Sequence, residues 1–351
     1  MMYICITFDY ELFFGNNIGT YDEVLFQPTY ALIDALEKME IPATFFADVC
    51  SIPVAKKYHQ DEYVVGFQKQ IQYMKQHGQD VQLHLHPHWY NSVWEGGRWN
   101  FSSSGYRLHE FGESGEINQI IIDGIEYLKK TIFPVDPNYE CIAYRAGGFS
   151  IQPHEKLITA LYDCGIRVDS SVAPHLYTKS EANFYDYRHE IEKLNWCISD
   201  KTEWWKDNKA GKNLFEIPIA TVDKSPIAFL IRRILAPNTI KISLGPKRGS
   251  YITVHHQKES KISSYYKYLK GYNALSMDAY AAKYLYTQTR RFYKKEESDD
   301  CVIAIIGHPK LVTDAYIENL MEYINRIKRD SRFEFISIYD AYRLKENNNG
   351  T

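Results

Sequence analysis

The chain of 351 residues has six cysteines, all standing singly, with no Cys-x-x-Cys and no even spacing. That excludes a disulfide framework and indicates reduced thiols. Cys5, Cys141 and Cys301 lie in or beside apolar strand-like runs and read as small core residues. No stretch reaches the roughly 18 consecutive apolar residues that a membrane-spanning helix needs. The opening Met1-Met-Tyr-Ile-Cys-Ile-Thr-Phe-Asp9 lacks a charged first region and soon meets an acid, so it reads as a strand, not a signal peptide. A cytoplasmic protein is expected. A basic excess is also missing: 41 Lys and Arg face 44 Asp and Glu, a net charge of −3, which argues against phosphate-driven nucleic-acid binding. No internal repeat or low-complexity tract is visible apart from a polar tail at 345–351.

What is present is the profile of a soluble globular chain with an ample core, 45% apolar and 24% charged. Aromatics reach 15%, with 29 tyrosines, a richness that sugar-binding surfaces share with many unrelated folds. The densest chemistry sits at Asp80-Val-Gln-Leu-His-Leu-His-Pro-His-Trp89, where His84, His86 and His88 are three of only twelve histidines. Residues 81–85 read as a strand, and Pro87 should end it because proline cannot donate to a ladder. Neutral imidazole is the commonest metal-binding side chain. In an extended segment all three rings would share one face, so periodicity leaves open which of them bind.

Strands are expected at 3–8, 43–47, 81–85, 141–144, 166–168, 214–217, 301–307 and 333–336. Helices are expected from Pro28 to about Met39 and at 63–77, 117–132, 154–163 and 313–329. This alternation predicts a parallel sheet, closed into a barrel or doubly wound. Polar residues recur at strand carboxyl ends (Asp9 and Glu11, His84 to His88, Arg145, Asp169, His308), the end where parallel barrels gather catalytic groups. One site drawing on positions 9 to 308 implies one catalytic domain over 1–344, with insertions near 90–116 and 222–295. Within the second insertion, the segment 226–248 alternates apolar and basic stretches, which suits a packed helix with a solvated face and, less readily, a membrane-surface or anionic-substrate contact.

An acid from the first strand and two histidines from the third would make a metal site with an open coordination position, the catalytic arrangement. A divalent metal brings the pKa of water towards about 7. A second carboxylate can take the proton as that water attacks a carbonyl. A histidine across the site can protonate the leaving group, and an arginine can keep the base ionised. Metal-assisted hydrolysis of an amide or ester is the expected chemistry. Taken singly, Asp9 also suits a turn, Arg145 an ion pair and His308-Pro309 an ordinary strand exit.

Seven short motifs occur in order: Ile6-Thr-Phe-Asp-Tyr-Glu11, Ala43-Thr-Phe-Phe46, His84-x-x-x-His88, Tyr144-Arg-Ala146, Val168-Asp-Ser-Ser171, Glu216-Ile-Pro218 and Gly307-His-Pro309. Together they resemble the polysaccharide deacetylases, the NodB-like enzymes of carbohydrate esterase family 4, from residue 3 to about 340. The resemblance implies a deformed (β/α) barrel of about seven parallel strands with a helical insertion. It further implies a divalent metal, most often zinc, and removal of N-acetyl or O-acetyl groups from an amino-sugar glycan or its precursor. By position, Asp9 corresponds to the general base, His84 and His88 to the metal-binding pair, Arg145 to the residue orienting the base and His308 to the general acid. Asp169 falls in the motif whose acid supports the site, and His86 falls between the two ligands. The commonest pattern has aspartate directly after the base, where this chain has Tyr10; under the Asp-x-Glu variant Glu11 becomes the metal carboxylate. Ala146-Gly-Gly148 replaces the usual proline and aromatic after Arg145. Hydrolysis of a small cyclic amide, or sugar binding without catalysis, are the alternatives, and a cytoplasmic setting would favour biosynthesis of a surface glycan.

Overall fold

The computed structural model describes residues 1–112, 114–188, 195–200, 211–223, 248–250, 271–295 and 301–349. Its main sheet has nine strands: β1 (Met2–Tyr10), β2 (Ala43–Asp48), β3 (Asp80–Leu85), β4 (Ala143–Ala146), β5 (Val168–Asp169), β6 (Trp196–Ser199), β7 (Asn213–Glu216), β8 (Cys301–Gly307) and β9 (Phe333–Phe335). Their spatial order is β6-β7-β5-β4-β3-β2-β1-β8, with β9 also paired to β1. From β8 through β1, β2, β3, β4 and β5 to β7 every pairing is parallel, in line with the about seven parallel strands that the resemblance implies; only β6 runs antiparallel, on β7.

The sheet curls until its ends meet. Beyond β7, Ala220 donates its N–H to Ala304 O at 2.9 Å and Ala304 donates to Pro218 O at 3.2 Å, so the chain after β7 pairs with β8. Met277 then donates to Ile306 O further along the same strand. The result is a deformed (β/α) barrel.

Burial explains why these strands are nearly continuous apolar runs: both faces are covered. Ile4, Ile6 and Phe8 pack outward with the helices, while Cys5, Phe46, Ala143, Val168, Phe215, Val302 and Ala304 fill the interior. Strand alternation then carries chemistry inward, because Thr7, Asp9 and Glu11 follow the parity of Cys5, and His308 that of Ala304 and Ile306.

Helices Gln27–Lys38, Asp61–Gln76, Ser114–Ile132, His154–Asp163 and Asp314–Lys328 cover the barrel, much as the sequence periodicity predicts. The last acquires its start from Thr313, whose side chain accepts from Tyr316 N. Several elements differ from expectation, the paired strands Tyr177–Lys179 and Phe184–Asp186 among them. Ser51–Lys57 is an additional short helix, and β6 was not foreseen. Residues 345–349 of the expected polar tail belong instead to helix Ile338–Asn349, whose Ile338 and Ala341 join the interior cluster and whose Lys345 Nζ lies 4.0 Å from the Phe215 ring centroid. The long 90–116 segment carries two short paired strands, Val93–Glu95 and Arg98–Asn100. Of the second insertion, helix Ala282–Lys295 and strand Tyr272–Ala274 are described, whereas 226–247 lies outside the described residues. No described helix is long and apolar enough to cross a membrane.

Candidate active site

β1 ends by delivering Asp9 and, just beyond it, Glu11 to the barrel's carboxyl mouth, 3% and 5% exposed. Neighbouring strands align further groups by register: Asp9 pairs with Phe46, Asp48 with His84, and His84 with Arg145.

Glu11 is the hub. Its Oε2 lies 3.1 Å from His84 Nε2 and 2.8 Å from His86 Nε2, while its Oε1 takes the Lys310 ammonium at 2.6 Å. Burial alone would raise this carboxyl, but Lys310 and then the two imidazoles hold it well below its ordinary value. His84 Nδ1 donates to the Arg145 carbonyl oxygen at 2.8 Å and Nε2 faces Glu11. Against burial, Asp9 and Glu11 raise this imidazole to about 9, so without a metal Nε2–H donates to the Glu11 carboxylate. Glu11, His84 and His86 each offer a ligand atom, all within 4.8 Å of one another and all on buried residues. One carboxylate and two imidazoles, with a carbonyl behind the first imidazole, are a donor set that fits a divalent metal.

The histidine pair here differs from the expected His84 and His88. β3 stops at Leu85, and Pro87 opens a 3-10 turn, Pro87–Asn91, that takes His88 out of the extended alternation. Asp48 fixes that turn, accepting the His86 N–H at 3.1 Å and the Trp89 indole N–H at 2.7 Å. His88 is fully buried, stacks on Tyr106 at 4.9 Å between ring centroids, and finds no hydrogen-bond partner for either ring nitrogen. Burial and the neighbouring His86 hold it well below the ordinary imidazole value, so it is neutral.

Asp9 is kept apart from this hub by Arg145. The guanidinium donates to Asp9 Oδ1 at 2.8 Å, to Thr7 Oγ1 at 2.9 Å, and to Ser170 through both its carbonyl and hydroxyl oxygens at 2.8 and 2.9 Å. Its face rests on Phe46, 4.2 Å from the ring centroid. Burial would raise the Asp9 carboxyl, but Arg145, His84 and His308 together hold it below its ordinary value, ionised at neutral pH.

His308 faces both acids from β8, its Nε2 3.9 Å from Asp9 and 4.0 Å from Glu11. Its Nδ1 lies 2.7 Å from Asp278 Oδ2, and its N–H donates to Asp278 Oδ1 at 3.0 Å. Burial would lower the imidazole, but Asp278, with help from Asp9, outweighs it and raises it above the ordinary value. At 19% side-chain exposure, His308 lines the open side of the cluster.

Asp169 does not reach this cluster. Inward parity on its strand belongs to Val168 and Ser170, so Asp169 turns away and binds the Ser171 hydroxyl at 2.7 Å and N–H at 3.1 Å. Ser171 in turn accepts the Ala146 N–H at 2.8 Å, which ties Asp169 to the loop after Arg145. The acid that holds His308 is Asp278. Asp278 lies in the second insertion, away from any motif, and carries no sequence signal. Lys310 and Asp48 had one: a charge at inward parity two residues past His308, and an acid closing an apolar strand.

No protein-family model and no curated protein matches the sequence. Solved structures do. A candidate glycoside hydrolase/deacetylase from Parabacteroides distasonis superposes with a TM-score of 0.56 at 10% identity, over 98% of this chain and 71% of that one. A candidate polysaccharide deacetylase from Mycobacterium smegmatis gives a TM-score of 0.52 at 12% identity, over 99% and 91%. The chain has the polysaccharide-deacetylase fold. An allantoinase shares this fold with it, at a TM-score of 0.50 and 11% identity over 97% and 89%, so deacetylase architecture alone does not choose the substrate.

Proposed function

We propose that the protein is a metal-dependent hydrolase that removes acetyl groups from an amino-sugar glycan or glycan precursor. The observation that carries this reading is the division of two neighbouring acids. Glu11 faces two imidazoles, whereas Asp9, two residues earlier, is bound by Arg145 and faces His308. Ligand and base are thereby separated in one site. In this reading Glu11, His84 and His86 hold the metal, which is zinc or a similar divalent ion and supplies Lewis-acid activation of a carbonyl and an acidified water.

The chain's own groups supply the proton transfers. Asp9, kept ionised by Arg145, accepts the proton of the attacking water. His308, whose charged form Asp278 favours, donates from Nε2 to the leaving amine or alcohol. Asp169 supports the Arg145 loop through Ser171. The ring-rich segment around Tyr106, packed on His88, suits the wall of a sugar site. Six cysteines standing singly in the sequence fit a reducing, cytoplasmic setting and hence glycan biosynthesis.

Metal analysis of the purified protein, paired with acetate release from a panel of N-acetylated sugars, tests the reading. Metal near one equivalent and acetate from at least one sugar are expected. Asp9→Asn should keep its metal while losing about 10²–10⁴-fold in rate. Hydrolysis of cyclic amides with no acetate from any sugar would replace this reading.

A further inference from the structure

A buried lysine binds the oxygen of the proposed metal carboxylate that does not face His84 and His86. Lys310 has no exposed side-chain surface, and its ammonium lies 2.6 Å from Glu11 Oε1 and 3.0 Å from the Leu12 carbonyl oxygen. The rings of Phe13 and Phe14 lie 5.1 and 5.3 Å from the same nitrogen and limit where it can go. Lys310 is carried by the turn Pro309–Leu311, which leaves β8 directly after His308, so the same strand positions both groups.

We propose that Lys310 is a built-in counter-ion that makes Glu11 a one-oxygen ligand and weakens the site's hold on its metal. The inference rests on the metal-binding role proposed for Glu11, His84 and His86. Glu11 Oε1 is occupied by the ammonium, so only Oε2, the oxygen facing the imidazoles, is free to coordinate. Like charges repel strongly in a poorly screened site, so a divalent ion binding on Oε2 meets a fixed positive charge across a single carboxylate. The same ammonium compensates Glu11 when no metal is bound, which an unpaired buried carboxylate could not tolerate cheaply. A site built this way stays assembled without metal and exchanges it readily.

The test compares wild type, Lys310→Gln and Lys310→Arg. Cobalt and zinc affinities are measured by chelator competition, and thermal unfolding is followed with and without metal. Glutamine can still donate to Glu11 and to the Leu12 carbonyl but carries no charge; arginine keeps the charge. Lys310→Gln should bind metal about tenfold tighter or more, the scale of one charge–charge contact at a few ångströms. It should melt below wild type without metal and regain most of the difference with it. Lys310→Arg should stay within about threefold of wild type, well under one such contact. A merely structural lysine would instead leave Lys310→Gln with equal or weaker metal affinity and an equal loss of stability in both states, and that result overturns the proposal. Binding by wild type that persists unchanged in His84→Ala would overturn the metal-site reading itself, and this inference with it.

Discussion

Asp278 grips His308 twice, with one carboxylate oxygen 2.7 Å from the ring Nδ1 and the other accepting the same residue's backbone N–H at 3.0 Å. This double contact fixes the ring so that Nε2 points at Asp9 and Glu11. It also stabilises the charged imidazole, which raises its pKa. If His308 must be protonated to act as the acid, activity is lost as pH rises through that raised value. Asp278→Asn removes the stabilising charge, so the alkaline limb of kcat/KM should move to lower pH. A pH–rate profile of both proteins checks this. An unmoved limb would separate Asp278 from the acid step.

The ligand histidines can be told apart by metal content. His84→Ala and His86→Ala should each lose most of the bound metal, because each ring faces Glu11 Oε2. His88→Ala should retain it, since that ring lies in the turn against Tyr106. Its buried, unbonded nitrogens mean that alanine also removes a desolvated polar group, so stability should change by less than a core truncation of about 2–5 kcal/mol. Metal analysis by mass spectrometry decides. Full loading of His86→Ala with loss in His88→Ala would restore the pair implied by the sequence resemblance.

Much of this was readable in the chain. Asp9 and Glu11 stand two residues apart at the end of the first strand-like run, and in the fold both face His308 Nε2, at 3.9 and 4.0 Å. The parallel sheet followed from apolar segments alternating with helical ones, and the barrel of about seven strands from the resemblance. What failed to show was set by turns and by contacts distant in sequence. Whether His86 or His88 faces Glu11 depends on how Pro87 and Asp48 shape one turn, and Asp48 lies 38 residues from His86. Asp278 reaches His308 only because the chain after strand Tyr272–Ala274 runs along β8, where Met277 bonds Ile306. The end of helix Ile338–Asn349 read as a tail because Lys345 onward is polar, yet the helix's first turn carries the apolar residues that enter the barrel.

Arg145 should be the most costly single residue to remove from the cluster. It is fully buried, and the ionised Asp9 depends on it. Arg145→Met leaves that carboxylate without its cation, an outcome typically costing about 3–5 kcal/mol. Asp9→Asn in the same background should recover part of the loss, because the uncompensated charge is then gone. Urea unfolding of the two single variants and the double variant measures the coupling. Additive losses would mean that Arg145 acts through Ser170 and Thr7 alone.

Gly147 offers a test of the site that touches no proposed ligand. It opens the turn that follows Arg145 on β4, and its φ is not in the left-handed region, so alanine there meets no backbone strain. A Cβ at this position would instead stand 2.6 Å from His86 Nδ1 and 2.7 Å from the Leu85 carbonyl oxygen. The carbonyl belongs to the β3 backbone and cannot yield cheaply. The imidazole can, since Nδ1 has no hydrogen-bond partner to retain it. Its withdrawal would carry Nε2 away from Glu11. Gly147→Ala should therefore cost about 1–3 kcal/mol by overpacking, and it should lose metal and activity well beyond what that stability change explains. Gly115→Ala is the control, because a Cβ there meets nothing within 4 Å. Metal content, kcat/KM and thermal unfolding of both variants make the comparison. A folded Gly147→Ala with full metal and wild-type rate would remove His86 from the metal site.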